Sequence, residues 1–284
     1  MDTKEISYKD NTNIEVIDGF IVQQVSNDVW AIDEFGIDLM YLIIGEERAL
    51  LLDTGLGLGN IRKVVESLTK LPIIVVNSHH HYDHVGGNNR FEQIYAYKEA
   101  IPVILEQNTA EYRKSFFESQ AKRREYSGCD TFEEDMIRVG KFQMIAIEEG
   151  YVFDLGNRTL EVLFTPGHTK DCICLLDREN RLLFSADTLV STPTLLFDHY
   201  SADLGVYQQS LKKLWDYRGE YELIFPGHFL RPIGTIYLEN MMTCVEHIME
   251  NNQIGVRRDI SDTGCFGYYY KYKRASVIYG PNKI

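Results

Sequence analysis

Asn77-Ser78-His79-His80-His81-Tyr82-Asp83-His84 is the stretch from which the chain is read. Ile73-Ile74-Val75-Val76 precedes it, an apolar β-branched run that reads as a buried strand. Val85-Gly86-Gly87-Asn88 follows and reads as a tight turn into a helix. The polar cluster therefore falls in a loop at a strand end, where a rigid scaffold can aim side chains at one point. His79 and His81, two residues apart, face the same way while the extended geometry persists, and His80 faces the opposite way. Asp83 and His84 come after the bend and can reach a second point nearby. Imidazole and carboxylate together suit zinc or another first-row transition metal.

Four further polar clusters each follow an apolar run. They are Asp53-Thr54-Gly55 after Leu50-Leu51-Leu52, Thr165-Pro166-Gly167-His168-Thr169, Ser185-Ala186-Asp187-Thr188 after Leu182-Leu183-Phe184, and Pro226-Gly227-His228 after Leu223-Ile224-Phe225. Together with the order His-Xaa-His-Xaa-Asp-His, these motifs resemble the metallo-β-lactamase superfamily over roughly residues 20–230, most nearly its dinuclear hydrolases of the glyoxalase II and lactonase kind. The resemblance implies an αββα sandwich: two mixed β-sheets packed face to face, helices on the outer faces, the metal site at one edge. It implies that His79, His81 and His168 hold one metal, that Asp83, His84 and His228 hold the other, and that Asp187 bridges them. Asp53 would support the site from behind without touching a metal. Two zinc ions are expected, with iron or manganese as alternatives. Two cations sharing a hydroxide bring the pKa of water towards neutrality and polarise the bond under attack. Asp83, besides binding metal, is the candidate catalytic residue, accepting and returning the proton. No Gly-Xaa-Ser-Xaa-Gly elbow is present.

Departures from the family pattern narrow the branch. Histidine at position 81, where the diiron flavoproteins carry glutamate, and the lack of a flavodoxin-like extension argue against oxygen reductases. Asp171 stands where a glycine often follows Gly-His-Thr, which places a carboxylate behind His168 and departs from glyoxalase II. Thr188-Leu189-Val190 follows Asp187, so the tyrosine of the lactonases is missing at the matching place, and Tyr82 and Tyr200 are the remaining candidates.

The 284 residues are 44% hydrophobic and 25% charged, enough for a two-layer core. The expectation is one domain over 1–284, with a mainly helical insertion at about 98–149 and a C-terminal extension at about 235–284. No apolar stretch reaches the roughly 18 residues a membrane span needs, and the polar N-terminus lacks signal-peptide features, so a cytoplasmic protein without a membrane partner is expected. The net charge of −13 argues against nucleic acid as partner. The basic runs Lys122-Arg123-Arg124 and Lys271-Tyr272-Lys273-Arg274 are short and read as solvated faces. Five cysteines at irregular spacings imply no disulfide framework, and Cys172 and Cys174 read as small residues in a half-buried strand.

Helices are expected over 61–68, 207–217 and 235–250, and within 100–126. Phe116, Phe117, Tyr126, Phe132 and Met136 give the insertion aromatic residues suited both to packing and to a wall over the site. The tail with Tyr268-Tyr269-Tyr270 leaves three roles open: a terminal hairpin, a homodimer contact, or a place beside the substrate mouth. The function expected is a metal-dependent hydrolase acting on a small ester, thioester, lactone or amide. A phosphodiesterase of the same fold and a single-iron persulfide dioxygenase-like enzyme using His79, His168 and Asp187 are the alternatives.

Overall fold

The computed structural model describes residues 14–107, 142–229, 232–251, 253–260 and 265–284, with isolated positions between 109 and 118. Residues 1–13, the side chains named within 116–136, and Cys129 lie outside the described residues.

The first sheet has eight strands in chain order. β1 (Ile14–Ile17), β2 (Phe20–Ser26), β3 (Val29–Glu34), β4 (Asp38–Ile44) and β5 (Ala49–Leu52) form an antiparallel meander. The turn Gly45–Arg48 closes β4 onto β5, with Gly45 N–H donating to the Arg48 carbonyl at 2.9 Å. β6 (Ile73–Asn77), β7 (Gln93–Tyr97) and β8 (Gln143–Ile147) then add in parallel. The crossover between β5 and β6 is helix α1 (Ile61–Leu68), whose Ile61, Val64 and Val65 sit on one face and are buried. The short helices α2 (Tyr82–Val85) and α3 (Ala100–Gln107) follow β6 and β7.

The second sheet runs β15-β14-β12-β11-β10-β9. Its strands are β9 (Val152–Asp154), β10 (Thr159–Phe164), β11 (Ile173–Asp177), β12 (Leu182–Ala186), β14 (Leu223–Pro226) and β15 (Ile233–Gly234). Period-two alternation sorts each central strand between two cores. Leu50 and Leu52 of β5 face Ile173 and Leu175 of β11 between the sheets, with Tyr41, Phe184 and Phe225. Ala49 and Leu51 turn outward onto α1. Cys174 and Leu176 turn outward onto α4 (Leu204–Asp216) and α5 (Thr235–Glu250). The layers are helix, sheet, sheet, helix: an αββα sandwich. Tyr41 ties the sheets by donating from its hydroxyl to the Pro226 carbonyl at 2.7 Å.

One feature differs from expectation, and the tail forms the terminal hairpin, one of the roles its sequence leaves open. The end of the 98–149 insertion is strand β8, not helix: the β-branched Ile145 and Ile147 favour extended backbone, and the strand completes the parallel edge of the first sheet. The tail adds a third sheet, β13-β18-β17-β16, from β13 (Thr194–Leu196), β16 (Val256–Ile260), β17 (Cys265–Tyr272) and β18 (Ala275–Tyr279). Its inner face, with Leu196, Val277 and Tyr279, packs into the core shared with α4 and α5. No described helix is long and apolar enough to cross a membrane.

Candidate metal centre

The metal-type side chains sit on the loops that leave the strand ends at one edge of the sandwich. β6 ends at Asn77, and Ser78 and His79 follow it into the interior. His81 occupies the N-cap of α2, where its carbonyl accepts the His84 N–H at 2.9 Å, so one helical turn carries Asp83 and His84. His168 lies between β10 and β11, Asp187 directly after β12, and His228 two residues beyond β14. β12 and β14 run parallel and their ends are joined by Gly227 N–H donating to the Ala186 carbonyl at 2.9 Å. Gly227 has to be glycine: a Cβ would lie 2.5 Å from Asp187 Oδ1 and 3.1 Å from His84 Cε1. Asp53 and Ala186, at the ends of β5 and β12, both have left-handed backbone (φ +65° and +42°), an uncommon geometry for residues other than glycine.

Three donor groups converge, each within 4.8 Å: His79, His81 and His168; His79, His84 and Asp187; and Asp83, His84 and His228. Asp187 stands between the two outer groups. Its Oδ2 is 3.4 Å from His168 Nε2 and 3.1 Å from His228 Nε2, and its Oδ1 is 3.7 Å from His84 Nε2. Asp83 Oδ2 lies 3.7 Å from His228 Nε2. His228 and Asp83 are half-buried, with side chains 19% and 13% exposed, so the site reaches solvent on that side.

The opposite ring nitrogens are anchored. His168 Nδ1 donates to the Leu195 carbonyl at 2.9 Å, His228 Nδ1 to the Ile37 carbonyl at 2.7 Å, and His84 Nδ1 to Asp53 Oδ2 at 2.9 Å. Asp53 is fully buried and also accepts from Ser78 N–H and Ser78 Oγ–H, both at 2.7 Å. These anchors set the tautomer and leave the Nε2 lone pairs of His84, His168 and His228 directed inward.

The donor set fits a metal. His79 Nε2, His84 Nε2 and Asp187 Oδ1 are buried and have no hydrogen-bond partner among the described residues. Such atoms are costly to bury unsatisfied, and bound cations would give them partners. His81 Nδ1 and His168 Nε2 are 2.9 Å apart, a separation that requires a proton or a cation between two ring nitrogens. Electrostatics in the metal-free chain agree. Burial, with the neighbouring histidines, pushes His79 and His81 well below the usual histidine range. At His84 burial pulls the same way but is outweighed by Asp83, Asp187 and Asp53, which raise it. Burial would raise Asp187, yet His228, His84 and His168 hold it well below the usual carboxylate range.

Several site neighbours carry no motif in the sequence. The Glu34 carboxylate is buried and accepts four backbone N–H groups, those of Leu56, Gly57, Leu58 and Gly59. Burial raises it to about 7 against the pull of those donors. Asp38 is buried and raised by burial and by Glu34. His80 turns away from the ligands, as alternation predicts, and its Nδ1 meets Asp171 Oδ1 at 2.7 Å. The unusual carboxylate after Gly-His-Thr therefore has a partner, and Asp171 was the one signal that could have found it. The Tyr200 ring lies tilted against His80, with ring centres 4.6 Å apart and planes at 58°.

The chain is similar to several known proteins. An acyl-coenzyme A thioesterase MBLAC2 from Gallus gallus is 30% identical over 203 residues, spanning 67% of this chain and 72% of its own length. A hydroxyacylglutathione hydrolase from Francisella tularensis is 24% identical over 199 residues, 70% of this chain and 66% of its own. A solved metallo-beta-lactamase from Pontibacter korlensis superposes with a TM-score of 0.57 at 16% identity, over 80% of this chain and 99% of that one, a likeness of fold alone. The sequence signature of the metallo-beta-lactamase superfamily matches residues 34–228, which hold every donor of the site, and the chain belongs to that superfamily.

Proposed function

We propose that this chain is a metal-dependent hydrolase that cleaves thioesters at a two-metal centre. The observation that carries the metal is the trio of buried, unpartnered donors, His79 Nε2, His84 Nε2 and Asp187 Oδ1, on one edge of the sandwich. The thioester is supported by the relatives, named as an acyl-coenzyme A thioesterase and a hydroxyacylglutathione hydrolase. In this reading His79, His81 and His168 hold one ion, Asp83, His84 and His228 the other, and Asp187 is shared. Zinc is the first expectation, with iron or manganese as alternatives. Bound ions would supply an ionised water and a polarised carbonyl.

The chain's own residues do the rest. The Leu195 and Ile37 carbonyls and Asp53 hold the histidine rings in one tautomer, so the donor atoms need no reorganisation. Asp83 lies on the more open side and within 3.7 Å of His228 Nε2, placed to take the proton of the attacking water and return it to the departing thiol. Water adds, the C–S bond breaks, and a carboxylic acid and a thiol result.

Metal analysis of protein purified without chelator, with a panel of thioester, ester, lactone, β-lactam and phosphodiester substrates, tests the proposal. About two metal ions per chain and turnover highest on thioesters are expected. A metal-free protein active on any of them, or a preference for phosphodiesters, overturns it.

A further inference from the structure

The third sheet begins at the metal centre. The Leu195 carbonyl on β13 is the group that anchors His168, so the free edge of that strand abuts the ligands. Register carries a line outward from there. Leu195 pairs with Ile278 on β18, Ile278 with Tyr269 on β17, and Tyr269 with Val256 on β16. Paired residues share a face, and this is the face opposite the core, because the neighbours Leu196, Val277 and Tyr279 are the ones buried against α5. The four residues form an apolar row across the outward face, half-buried at Leu195, Ile278 and Tyr269 and open at Val256. At about 4.8 Å per strand the row leads roughly 14 Å away from the metal centre.

Cations bracket that row. Lys271 and Arg258 lie on the same face, two residues along the strands on either side, roughly 7 Å away by strand rise. The Arg258 guanidinium lies over the Tyr269 ring, 5.5 Å from its centre. Both cations are exposed, and neither has a carboxylate partner among the described residues. Lys273 and Arg274 follow in the β17–β18 turn. Between Val256 and Tyr279 the sequence has five cations, Arg257, Arg258, Lys271, Lys273 and Arg274, and two acids, Asp259 and Asp262. Arg257 and Asp259 lie on the other face, 3.7 Å apart, and the whole chain carries a net −13, so Arg258 and Lys271 make the outward face a basic surface on an acidic protein. A polyanionic ligand is repelled by the rest of the molecule and attracted here.

We propose that the outward face of the C-terminal sheet docks the phosphate-bearing carrier half of a thioester substrate, its arm along the apolar row and its phosphates on Arg258 and Lys271. The proposal rests on the thioesterase reading and adds the class of thiol: a nucleotide-bearing carrier rather than a small uncharged one.

The test uses full-length protein and the double variant Arg258→Gln with Lys271→Gln, both exposed positions that leave the core untouched. Two substrates share an acyl group and differ only in the thiol: butyryl-coenzyme A and the butyryl thioester of N-acetylcysteamine, which has no phosphate. The KM for butyryl-coenzyme A should rise about tenfold or more, as expected for losing charge-assisted contacts, with kcat unchanged. Turnover of the N-acetylcysteamine thioester should not move. Binding of free coenzyme A, followed by calorimetry, should weaken in parallel. Equal coenzyme A binding by wild type and variant, no binding by the wild type, or a parallel loss on both substrates overturns the docking proposal. Coenzyme A binding that is lost in the variant, in a protein that hydrolyses neither thioester, keeps the docking face and removes the thioesterase reading.

Discussion

Asp187 is the residue on which the centre turns. Its two oxygens face His84 on one side and His168 and His228 on the other, at 3.1 to 3.7 Å. Without it, two cations would lose their shared anion and repel each other. Asp187→Ala is therefore expected to lower occupancy at the Asp83–His84–His228 group more than at the other, and to slow hydrolysis by at least roughly 100-fold, a few kcal/mol of barrier. Circular dichroism, metal counting and kinetics on that variant check it; a folded variant with both metals and normal turnover would refute the shared-carboxylate role. Asp53 acts one step further back. Asp53→Asn leaves the left-handed backbone comfortable, since asparagine tolerates it, but sets an amide N–H2 against the donors of Ser78 or His84. Metal affinity should fall roughly 10–100-fold, read by competition with a chromogenic chelator; an unchanged affinity would make Asp53 a bystander.

At the scale of elements, the loop after β5 is a bracket for the loop after β6. Glu34 gathers the N–H groups of Leu56–Gly59 onto one carboxylate. That loop touches the turn after His84: Gly86 N–H donates to the Gly55 carbonyl at 2.7 Å, and Thr54 N–H to the His84 carbonyl at 2.9 Å. The two backbones are so close at Gly86 that a Cβ would collide with the Leu56 carbonyl. Because both partners are backbone, neither can yield cheaply, and Gly86→Ala should lose about 1–3 kcal/mol of stability and weaken metal retention, read by urea unfolding and metal analysis together. Glu34→Gln trades half of a four-acceptor site for a donor facing donors, at about 1–3 kcal/mol. It should also change the pH profile. The folded carboxyl is raised from 4.5 to about 7, so the folded state holds a proton the unfolded state has released. Its contribution is fully present below pH 4.5 and fades as pH rises through about 7. At fixed metal occupancy, the wild-type urea midpoint should fall more between those limits than that of Glu34→Gln; parallel slopes would show that Glu34 does not titrate there.

For the whole molecule, the candidate ligands come from both halves of the sandwich: His79, His81, Asp83 and His84 from the first sheet's loops, His168, Asp187 and His228 from the second's. A metal held by both halves would stabilise the folded chain by mass action, by about 2.7 kcal/mol when present at 100 times its dissociation constant. Removing it with a chelator should lower the melting temperature by several degrees, and adding zinc back should restore it, in differential scanning calorimetry. An unchanged melting temperature in a protein shown to have lost metal would mean the two loop sets hold together without it.

The sequence by itself determined the sandwich and named the side chains that the fold gathers at its edge. Leu50-Leu51-Leu52, Ile73–Val76, Leu182–Phe184 and Leu223–Phe225 are short apolar runs with polar clusters at their ends, and both the period of two and the His/Asp chemistry are local properties. It also fixed the outward turn of His80, since alternation needs only the neighbouring residues. Tertiary structure alone decided the rest. Glu34 meets its partners 22 to 25 residues away, and Asp171 meets His80 at a separation of 91, with no spacing rule to announce either. The Leu195 and Ile37 carbonyls that anchor His168 and His228 are backbone groups, invisible to any reading of side chains. The tail's strands could be read as a hairpin, but their parallel pairing with β13 joins residues more than eighty positions apart. Pairing of that kind depends on where the core places two segments, which is why a basic run that reads as a solvated face in sequence becomes, in the fold, the surface leading away from the metal centre.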